Sequence, residues 1–236
     1  MDRDQHGRRF KGGGTTFVIS LKMKILKINP ENLRGSLGAI SEAVNTIRRG
    51  GTVVYPTDTV YGLGADATNE KAIQCVFGIK KRPAIKPVPL LVSDLEMVER
   101  LAFLNKKIEE TLLAVWPGSI TVLLQKKFNL PESVTAGLKT IGLRIPDYKI
   151  THYLVVQCGC PITATSANIS GQPPSNKIEE VLSQFKNMPH TPDLVLDAGD
   201  LRFSEPSIIL DLSNGKPMVT RVGPVNKDKL FEIIGV

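Results

Sequence analysis

The sequence is poor in aromatic residues, cysteine and histidine, and each shortage weighs against a class of protein. Aromatic residues make up 6% of the 236 positions, which is few for a surface on which single-stranded nucleic acid bases stack. The three cysteines include Cys158 and Cys160 in a C-G-C arrangement, without the C-x-x-C spacing of metal and redox sites. The three histidines are scattered, so we expect no zinc enzyme, no metal ligands from the protein, and a reducing, cytoplasmic setting.

Long apolar segments are also missing. The longest runs, ITVLLQ from Ile120 and YLVVQCGC from Tyr153, are far shorter than the roughly 20 residues that a membrane-spanning helix needs. Because 42% of the residues are hydrophobic and 22% are charged, the chain has enough apolar material for a core. These values predict a globular protein that neither spans nor needs a membrane.

The positive charge is concentrated at the start of the chain. Residues 1–24 hold six Lys or Arg against two Asp, so they carry +4 of the net charge of +7. This stretch has a Gly-rich centre and lacks the apolar region of a signal peptide. We interpret residues 1–23 as a flexible leader or a misassigned start, with Met23 as an alternative first residue. The remaining charge is too small to predict nucleic acid binding on its own.

Two common phosphate-binding fingerprints do not fit. Residues 55–67 read YPTDTVYGLGADA and contain G-x-G-x-x-A, but the first glycine does not directly follow a strand, and no acidic residue stands about 20 positions later. We therefore interpret Gly62 and Gly64 as positions at which the backbone turns tightly beside a strand. The pattern G-x-x-x-x-G-K-S/T is absent, so any nucleotide is held in another way.

Alternating helix and strand signals predict one α/β domain over residues 24–236. Apolar residues three and four apart mark one face of a helix that Gly50 ends; they are Leu37, Ile40, Val44 and Ile47. Asn69 is placed to cap a second helix, which ends near residues 80–83. Further helices are predicted on both sides of Asn105 and at residues 147–158, 178–185 and 226–234. Strands are predicted at residues 52–55, 87–92, 120–125, 141–145, 161–166, 194–199, 206–212 and 217–222.

Polar side chains lie near the ends of two predicted strands, which is where open α/β sheets bind ligands. After Tyr55, the side chains of Thr57, Asp58 and Thr59 provide two hydroxyls and a carboxylate. These groups serve either a ligand or a local turn that bonds its own backbone. Arg144 lies in the apolar segment GLRIP, where a buried guanidinium needs an anionic partner or an anionic substrate.

Two further segments also have alternative interpretations. Lys80 and Arg82 end a predicted helix, where they are either solvated cations favoured by the helix dipole or a clamp for a polyphosphate. Ser166 and Asn168, in the loop SANISG, either cap the next segment or bond a substrate. The residue types alone do not choose between these alternatives.

Five motifs in order are more specific than any one of them. They are PTDTVYGLG at residues 56–64, K-x-R at 80–82, WPGSIT at 116–121, GLRIP at 142–146 and SANISG at 166–171. Together they resemble the YrdC/Sua-type threonylcarbamoyl-adenylate synthase family over about residues 35–224. The resemblance implies a single α/β domain with a twisted open mixed sheet, flanking helices and a large, positively lined concave cavity.

The same resemblance implies an activity and roles for particular residues. The expected enzyme converts L-threonine, bicarbonate and ATP, with Mg²⁺ accompanying ATP, to L-threonylcarbamoyladenylate and pyrophosphate for the threonylcarbamoyladenosine modification of tRNA. Thr57 would bond the threonine, Arg144 would pair with its carboxylate, and Tyr61 would wall the pocket. The residues expected to hold the ATP phosphates and the reacting carboxylate are Lys80, Arg82, Ser166 and Asn168. Further nucleotide-contacting positions are Thr140, Ser175 and Arg221.

The sequence departs from the pattern of the longer family members in two ways. Longer members carry a C-terminal domain, so a chain ending at Val236 is expected to lack closure by it. They also place a histidine shortly after K-x-R, where this chain has PVPL at residues 87–90.

The expected product would pass to a downstream tRNA threonylcarbamoyl transferase complex. The alternatives are an RNA-binding module without catalysis, which would bind tRNA or double-stranded RNA, and an adenylating enzyme for another small amino acid.

Overall fold

The computed structural model describes residues 23–83, 85–127, 130–202, 204, 207–221, 230 and 232. Within them the helices are α1 (Leu33–Arg48), α2 (Glu70–Lys80), α3 (Leu95–Leu101), α4 (Lys106–Val115), α5 (Glu132–Thr135), α6 (Lys149–Cys158) and α7 (Ile178–Phe185). The strands are β1 (Lys24–Lys27), β2 (Val53–Tyr55), β3 (Gly62–Gly64), β4 (Leu90–Leu91), β5 (Ile120–Gln125), β6 (Thr140–Arg144), β7 (Ile162–Thr163), β8 (Thr165–Ser166), β9 (Leu194–Asp197), β10 (Ile208–Asp211) and β11 (Met218–Arg221). The expected leader, apart from Met23, and most of the helix expected at 226–234 lie outside the described residues.

The strands form two mixed sheets. The first has the order β1-β9-β2-β3-β8, in which β1, β9 and β2 are parallel and β3 and β8 are antiparallel to their neighbours. The second has the order β11-β10-β5-β6-β4-β7, with β10–β5 and β6–β4 as its parallel pairs. The predicted mixed α/β domain is confirmed, with its strands divided between two sheets.

One short segment contributes a strand to each sheet. Ile162 and Thr163 pair antiparallel with β4 in the second sheet, whereas Thr165 and Ser166 pair antiparallel with β3 in the first. Ala164 lies between the two pairings, and its N–H donates to the carbonyl oxygen of Pro89 at 2.7 Å. The chain therefore passes from one sheet to the other within five residues, which brings the ends of both sheets together.

The glycines of the G-x-G-x-x-A stretch lie in a strand rather than in the tight turn that we predicted. Gly62 and Gly64 are in β3, opposite Tyr55 and Val53 of β2. A Cβ atom at Gly62 or Gly64 would lie 2.5 or 2.6 Å from ring atoms of Tyr55, closer than packed atoms approach. The glycines are thus needed because the Tyr55 ring lies across this strand, and its hydroxyl donates to the carbonyl oxygen of Thr163 at 2.9 Å.

The first two helices follow their local signals with one exception. The Asn69 side chain accepts from the backbone N–H groups of Lys71 and Ala72, so it caps α2 as predicted. In α1 the buried face includes Ile40, Val44 and Ile47, but Leu37 is 39% exposed. Ser36 takes its place in the buried stripe, because its hydroxyl can bond the carbonyl oxygens of Asn29 and Asn32, both at 3.1 Å.

Some predicted elements differ in length from those in the structure, and two observed elements were not predicted. The strand expected at 87–92 is reduced to Leu90–Leu91, because Pro87 and Pro89 have no N–H for a sheet ladder. The edge strand β1 and the single turn α5 were not predicted. Among the described residues, no helix is long and apolar enough to cross a bilayer.

Candidate active site

A cavity of about 460 Å³ lies between the two sheets. Its wall includes Tyr55 and Gly62 from the first sheet and Thr121 and Arg144 from the second. Ala164, where the chain crosses between the sheets, also lines it. The cavity therefore depends on the two-sheet arrangement, and it matches the large concave cavity that the resemblance implied.

Most of the predicted site residues reach this cavity. Those in its wall are Thr57, Tyr61, Arg82, Thr140, Arg144, Ser166 and Arg221. Lys80, Asn168 and Ser175 are not in the wall. Sequence reasoning missed several hydroxyl groups that are there, namely Thr121, Thr135, Thr165, Ser207 and Thr220. A strand signal could have found Thr121, because it shares the cavity face with Leu123 two residues later.

The PTDT segment forms the local turn that was one of its two interpretations. The Thr57 hydroxyl donates to the carbonyl oxygen of Val60 at 2.7 Å and accepts from the backbone N–H of Thr59 at 3.0 Å. The hydroxyls of Thr57 and Thr59 are also 3.0 Å apart. From α6, the buried Thr151 hydroxyl donates to the carbonyl oxygen of Pro56. The turn is thus held on both sides while Thr57 and Thr59 still face the cavity.

Arg144 has an anionic partner within the same turn. Its Nη2 donates to Asp58 Oδ1 in an ion pair whose side chains are 7% exposed for Arg144 and 17% for Asp58. Arg144 Nε donates to the carbonyl oxygen of Gly118 at 2.8 Å, and Nη1 lies 3.5 Å from the Thr59 hydroxyl. A guanidinium has five N–H donors, so these described contacts leave two for a ligand in the cavity.

Arg82 and Arg221 add two guanidinium groups to the wall. Arg82 Nη2 donates to the carbonyl oxygen of Pro87 at 2.7 Å. Arg221, at the end of β11, donates from Nε and Nη2 to the carbonyl oxygen and hydroxyl of Ser207 at 2.9 and 3.1 Å. Burial lowers the pKa of Arg82, and partial burial followed by the charge of Arg144 lowers the pKa of Arg221. Guanidinium groups start from so high a pKa that both stay charged at neutral pH.

Lys80 lies beneath the SANISG loop. Its ammonium donates to the carbonyl oxygens of Ser166 and Asn168, the latter at 2.8 Å, and to Asn168 Oδ1 at 3.1 Å. Burial, and after it the charge of Arg82, lowers the pKa of Lys80 to about 7. Because an ammonium has three donors, the described contacts use all of them within the protein. Lys80 is therefore placed to hold the segment that presents Ser166 to the cavity.

The rest of the loop is also bonded internally. The Ser166 hydroxyl donates to Asn168 Oδ1, and the Asn168 amide donates to the carbonyl oxygen of Gln172 at 2.6 Å. Ser175 is buried, and its hydroxyl donates to Glu180 Oε2 of α7 at 2.6 Å. These contacts fix the shape of the loop, so Asn168 and Ser175 support the wall from behind in this arrangement.

Tyr61 lines the cavity, where the resemblance placed it. It has no exposed surface, and its hydroxyl donates to the carbonyl oxygen of Gly199 at 2.6 Å while accepting from the N–H of Ala198 at 3.0 Å. Burial raises the pKa of Tyr61 above its usual value. The phenol is thus a neutral structural group that ties the residue before β3 to the segment after β9.

The wall combines three guanidinium groups with hydroxyls and with apolar residues such as Leu91 and Ile141. Guanidinium forks match the paired oxygens of carboxylates and phosphates. Within the described part of the chain, no Asp, Glu, His or Cys lines the cavity, and no three such side chains are grouped to hold a metal ion. The fold and the site define a mixed α/β protein with a basic cavity suited to an anionic ligand.

Comparison with known proteins assigns a family. The sequence profile of the Sua5/YciO/YrdC family, described as telomere recombination, matches residues 45–223. This chain belongs to that family. The resemblance inferred from the five motifs is thereby confirmed over nearly the range that they covered.

Individual relatives differ in how much of their own length matches this chain. The threonylcarbamoyl-AMP synthase of Pyrococcus abyssi is 34% identical over 194 residues, which is 82% of this chain and 56% of that protein. A putative threonylcarbamoyl-AMP synthase of Methanocaldococcus jannaschii is 34% identical over 212 residues, covering 90% of this chain and 99% of the relative. This chain therefore spans little more than half of one relative and nearly all of the other.

A solved structure is similar in fold as well as in sequence. The crystal structure of P. abyssi Sua5 complexed with L-threonine matches with a TM-score of 0.80 and 31% identity, over 90% of this chain and 61% of that one. A related protein with the same fold thus binds L-threonine.

Proposed function

We propose that this protein makes L-threonylcarbamoyladenylate from L-threonine, bicarbonate and ATP, with release of pyrophosphate. The observation that carries the proposal is the convergence of Arg82, Arg144 and Arg221 on one cavity, in which the other polar side chains among the described residues are hydroxyls. The names of the relatives and the Sua5 complex with L-threonine support this activity. They give no support to the alternative of an RNA-binding module without catalysis.

The chemistry consists of two bond-forming steps. The amine of threonine attacks carbon dioxide derived from bicarbonate and loses a proton, which gives a carbamate. A carbamate oxygen then attacks the α-phosphorus of ATP, and the bond from that phosphorus to the pyrophosphate oxygen breaks. Neither step needs a covalent intermediate with the protein. Catalysis therefore rests on positioning the reactants and stabilising their negative charge.

The cavity residues divide between the two substrates. Arg144, with its two remaining N–H donors, would bind the threonine carboxylate beside Thr57. Arg82 and Arg221 would bind phosphate oxygens. Thr140 and Ser166 are wall hydroxyls available to the nucleotide.

The remaining predicted residues would act through others. Lys80 and Asn168 would hold the segment that presents Ser166, because their polar groups are bonded within the loop. Ser175 would contribute by anchoring the same loop to Glu180. All three residues would therefore support the wall of the cavity.

Mg²⁺ would enter with ATP as part of the substrate. The described wall has no carboxylate, whereas Mg²⁺ is commonly bound through substrate phosphates and water. When bound, it would neutralise phosphate charge. The residues present fit an ion carried mainly by the nucleotide.

The cysteines indicate the compartment of the protein, and the product indicates the reaction that follows. Cys75, Cys158 and Cys160 are free thiols, which supports a reducing, cytoplasmic compartment. The carbamoyl group is activated by its bond to phosphate, so a transferase must consume it. The expected consumer is a tRNA threonylcarbamoyl transferase complex.

The test is pyrophosphate release from ATP and Mg²⁺, measured with and without L-threonine and with and without bicarbonate. Release that requires both supports the proposal, and detection of L-threonylcarbamoyladenylate by mass spectrometry identifies the product. L-serine in place of threonine tests the alternative of another small amino acid. Release independent of threonine, or no release, contradicts the proposed function.

A further inference from the structure

Asp58 approaches Arg144 from outside the cavity. Thr57, Thr59 and Arg144 line the wall, whereas Asp58 does not. The Asp58 carboxylate accepts from Nη2 of Arg144, and only 17% of the Asp58 side chain is exposed. The carboxylate therefore contacts one edge of the guanidinium and leaves the cavity edge to a ligand.

The turn that carries Asp58 is held by several hydrogen bonds. Thr57 bonds the backbone at Val60 and Thr59, and Thr151 bonds the carbonyl oxygen of Pro56. On the other side, the carbonyl oxygen of Gly118 accepts from Arg144 Nε at 2.8 Å. Two anchored acceptors thus define the plane of a side chain that otherwise has many rotamers.

We propose that Asp58 is a positioning residue, which fixes the guanidinium of Arg144 before the substrate carboxylate arrives. The inference rests on the proposed function, because it concerns the same threonine-binding site. A carboxylate that docks on a fixed fork avoids the entropy cost of ordering the arginine. Asp58 contacts Arg144 and not the substrate, so its effect falls on threonine binding rather than on the chemical step.

Two substitutions separate position from charge. Asp58→Asn keeps an oxygen acceptor in place and removes the negative charge, whereas Asp58→Glu keeps the charge and moves the carboxylate by one methylene. Positioning predicts that Asp58→Glu raises the KM for L-threonine more than about tenfold, while Asp58→Asn changes it less than about threefold. In both variants kcat stays within about threefold of the wild type. A role limited to balancing charge predicts the reverse order of KM values.

The experiment is steady-state pyrophosphate release at saturating ATP and bicarbonate, together with calorimetric titration of L-threonine. Circular dichroism and thermal denaturation report whether each variant is folded. Glu96→Gln is the matched control, because it removes a carboxylate from the exposed pair with Arg100, 2.9 Å long, on α3. Its KM for threonine is expected to equal that of the wild type.

The outcomes are distinguishable. A reversed order of KM values, or a wild-type KM and affinity in a folded Asp58→Glu variant, overturns the inference while the proposed function stands. If Asp58→Glu does not fold, Asp58→Ala replaces it as the variant without an acceptor, with the same expected rise in KM. If both fail to fold, a rise of more than about threefold in the threonine KM of folded Asp58→Asn overturns the inference, and a smaller change supports it. A wild-type protein without threonine-dependent release instead overturns the proposed function and, with it, this inference.

Discussion

Arg144 and Lys80 are both buried cations, 6% and 2% exposed, but they use their donors differently. Arg144 lines the cavity and keeps two N–H groups beyond its described contacts with Asp58, Gly118 and Thr59. Lys80 directs all three of its donors to Ser166 and Asn168. The first cation can bind a ligand directly, whereas the second stabilises the loop that the ligand meets.

The difference shows that a motif residue can serve a site in two ways. Both cations belong to motifs on which the family resemblance rests, so motif membership does not separate them. The number of donors that the fold leaves unused does separate them. Substitution of Arg144 should therefore act mainly on binding, and substitution of Lys80 mainly on stability.

The largest effect is expected for Arg144→Met. Loss of two charge-assisted hydrogen bonds to the threonine carboxylate should lower kcat/KM about 1000-fold, or about 4 kcal/mol. The measurement is pyrophosphate release as a function of threonine concentration, with thermal denaturation to confirm folding. Arg100→Met, which removes an exposed arginine on α3, is the control and should stay within about twofold. A folded Arg144→Met variant with wild-type kcat/KM would refute direct binding by Arg144.

Lys80→Met should give the next largest effect, which falls on stability rather than on kcat/KM. The substitution leaves the buried acceptors of Ser166 and Asn168 without their donor, so the free energy of unfolding should fall by about 2–3 kcal/mol. Urea denaturation at pH 7 measures it. Lys71→Met, on the exposed side of the same helix, should change stability by less than about 0.5 kcal/mol. An equally stable Lys80→Met protein that has lost activity would return Lys80 to the group of direct phosphate ligands.

The stability of the protein should depend on pH because of Lys80, which is a further difference from Arg144. The pKa of Lys80 is lowered to about 7 in the folded protein, whereas an unfolded lysine titrates near 10.4. Below pH 7 both states are protonated, and the fold bears the full cost of the buried charge. Above pH 7 the unfolded chain holds more protons, so the wild-type free energy of unfolding should rise by at most about 1.4 kcal/mol per pH unit.

The check for this pH effect is a set of urea denaturation curves from pH 6 to 9. The gap in unfolding free energy between the wild type and Lys80→Met should widen as the pH rises, since the variant lacks the titrating group. Arg144→Met keeps Lys80 in place, so it serves as the matched comparison. Parallel wild-type and Lys80→Met curves would contradict the lowered pKa.

Local signals predicted much of the fold. The Asn69 cap and the helix at 178–185 appear where the sequence placed them, because caps and apolar spacing act within one or two turns. The edge strand β1 was missed since its residues are mostly exposed and show no apolar alternation. The short helix α5 was missed because four residues are too few for a periodic pattern.

The site was predicted as a set of residues but not as a network. The motifs identified Arg144 and Lys80, yet their partners Asp58 and Ser166 are each 86 residues away in sequence. Spacing along the chain carries no information on such contacts. The meeting of the two sheets around one cavity brings these residues together, and only the tertiary structure shows which donors remain for a ligand.

The smallest effect is expected for Thr151→Val, which removes a hydrogen bond to the turn that carries Asp58. Thr151→Val keeps the shape of a buried residue in α6 and removes the hydroxyl that donates to the carbonyl oxygen of Pro56. The free energy of unfolding should fall by about 1 kcal/mol, and the KM for threonine should rise about threefold because the turn carrying Asp58 loosens. Thr68→Val removes an exposed hydroxyl bonded to Asp66 and should change neither value measurably. A loss of stability in Thr151→Val without any change in KM would mean that the turn is not what holds Arg144 ready for its ligand.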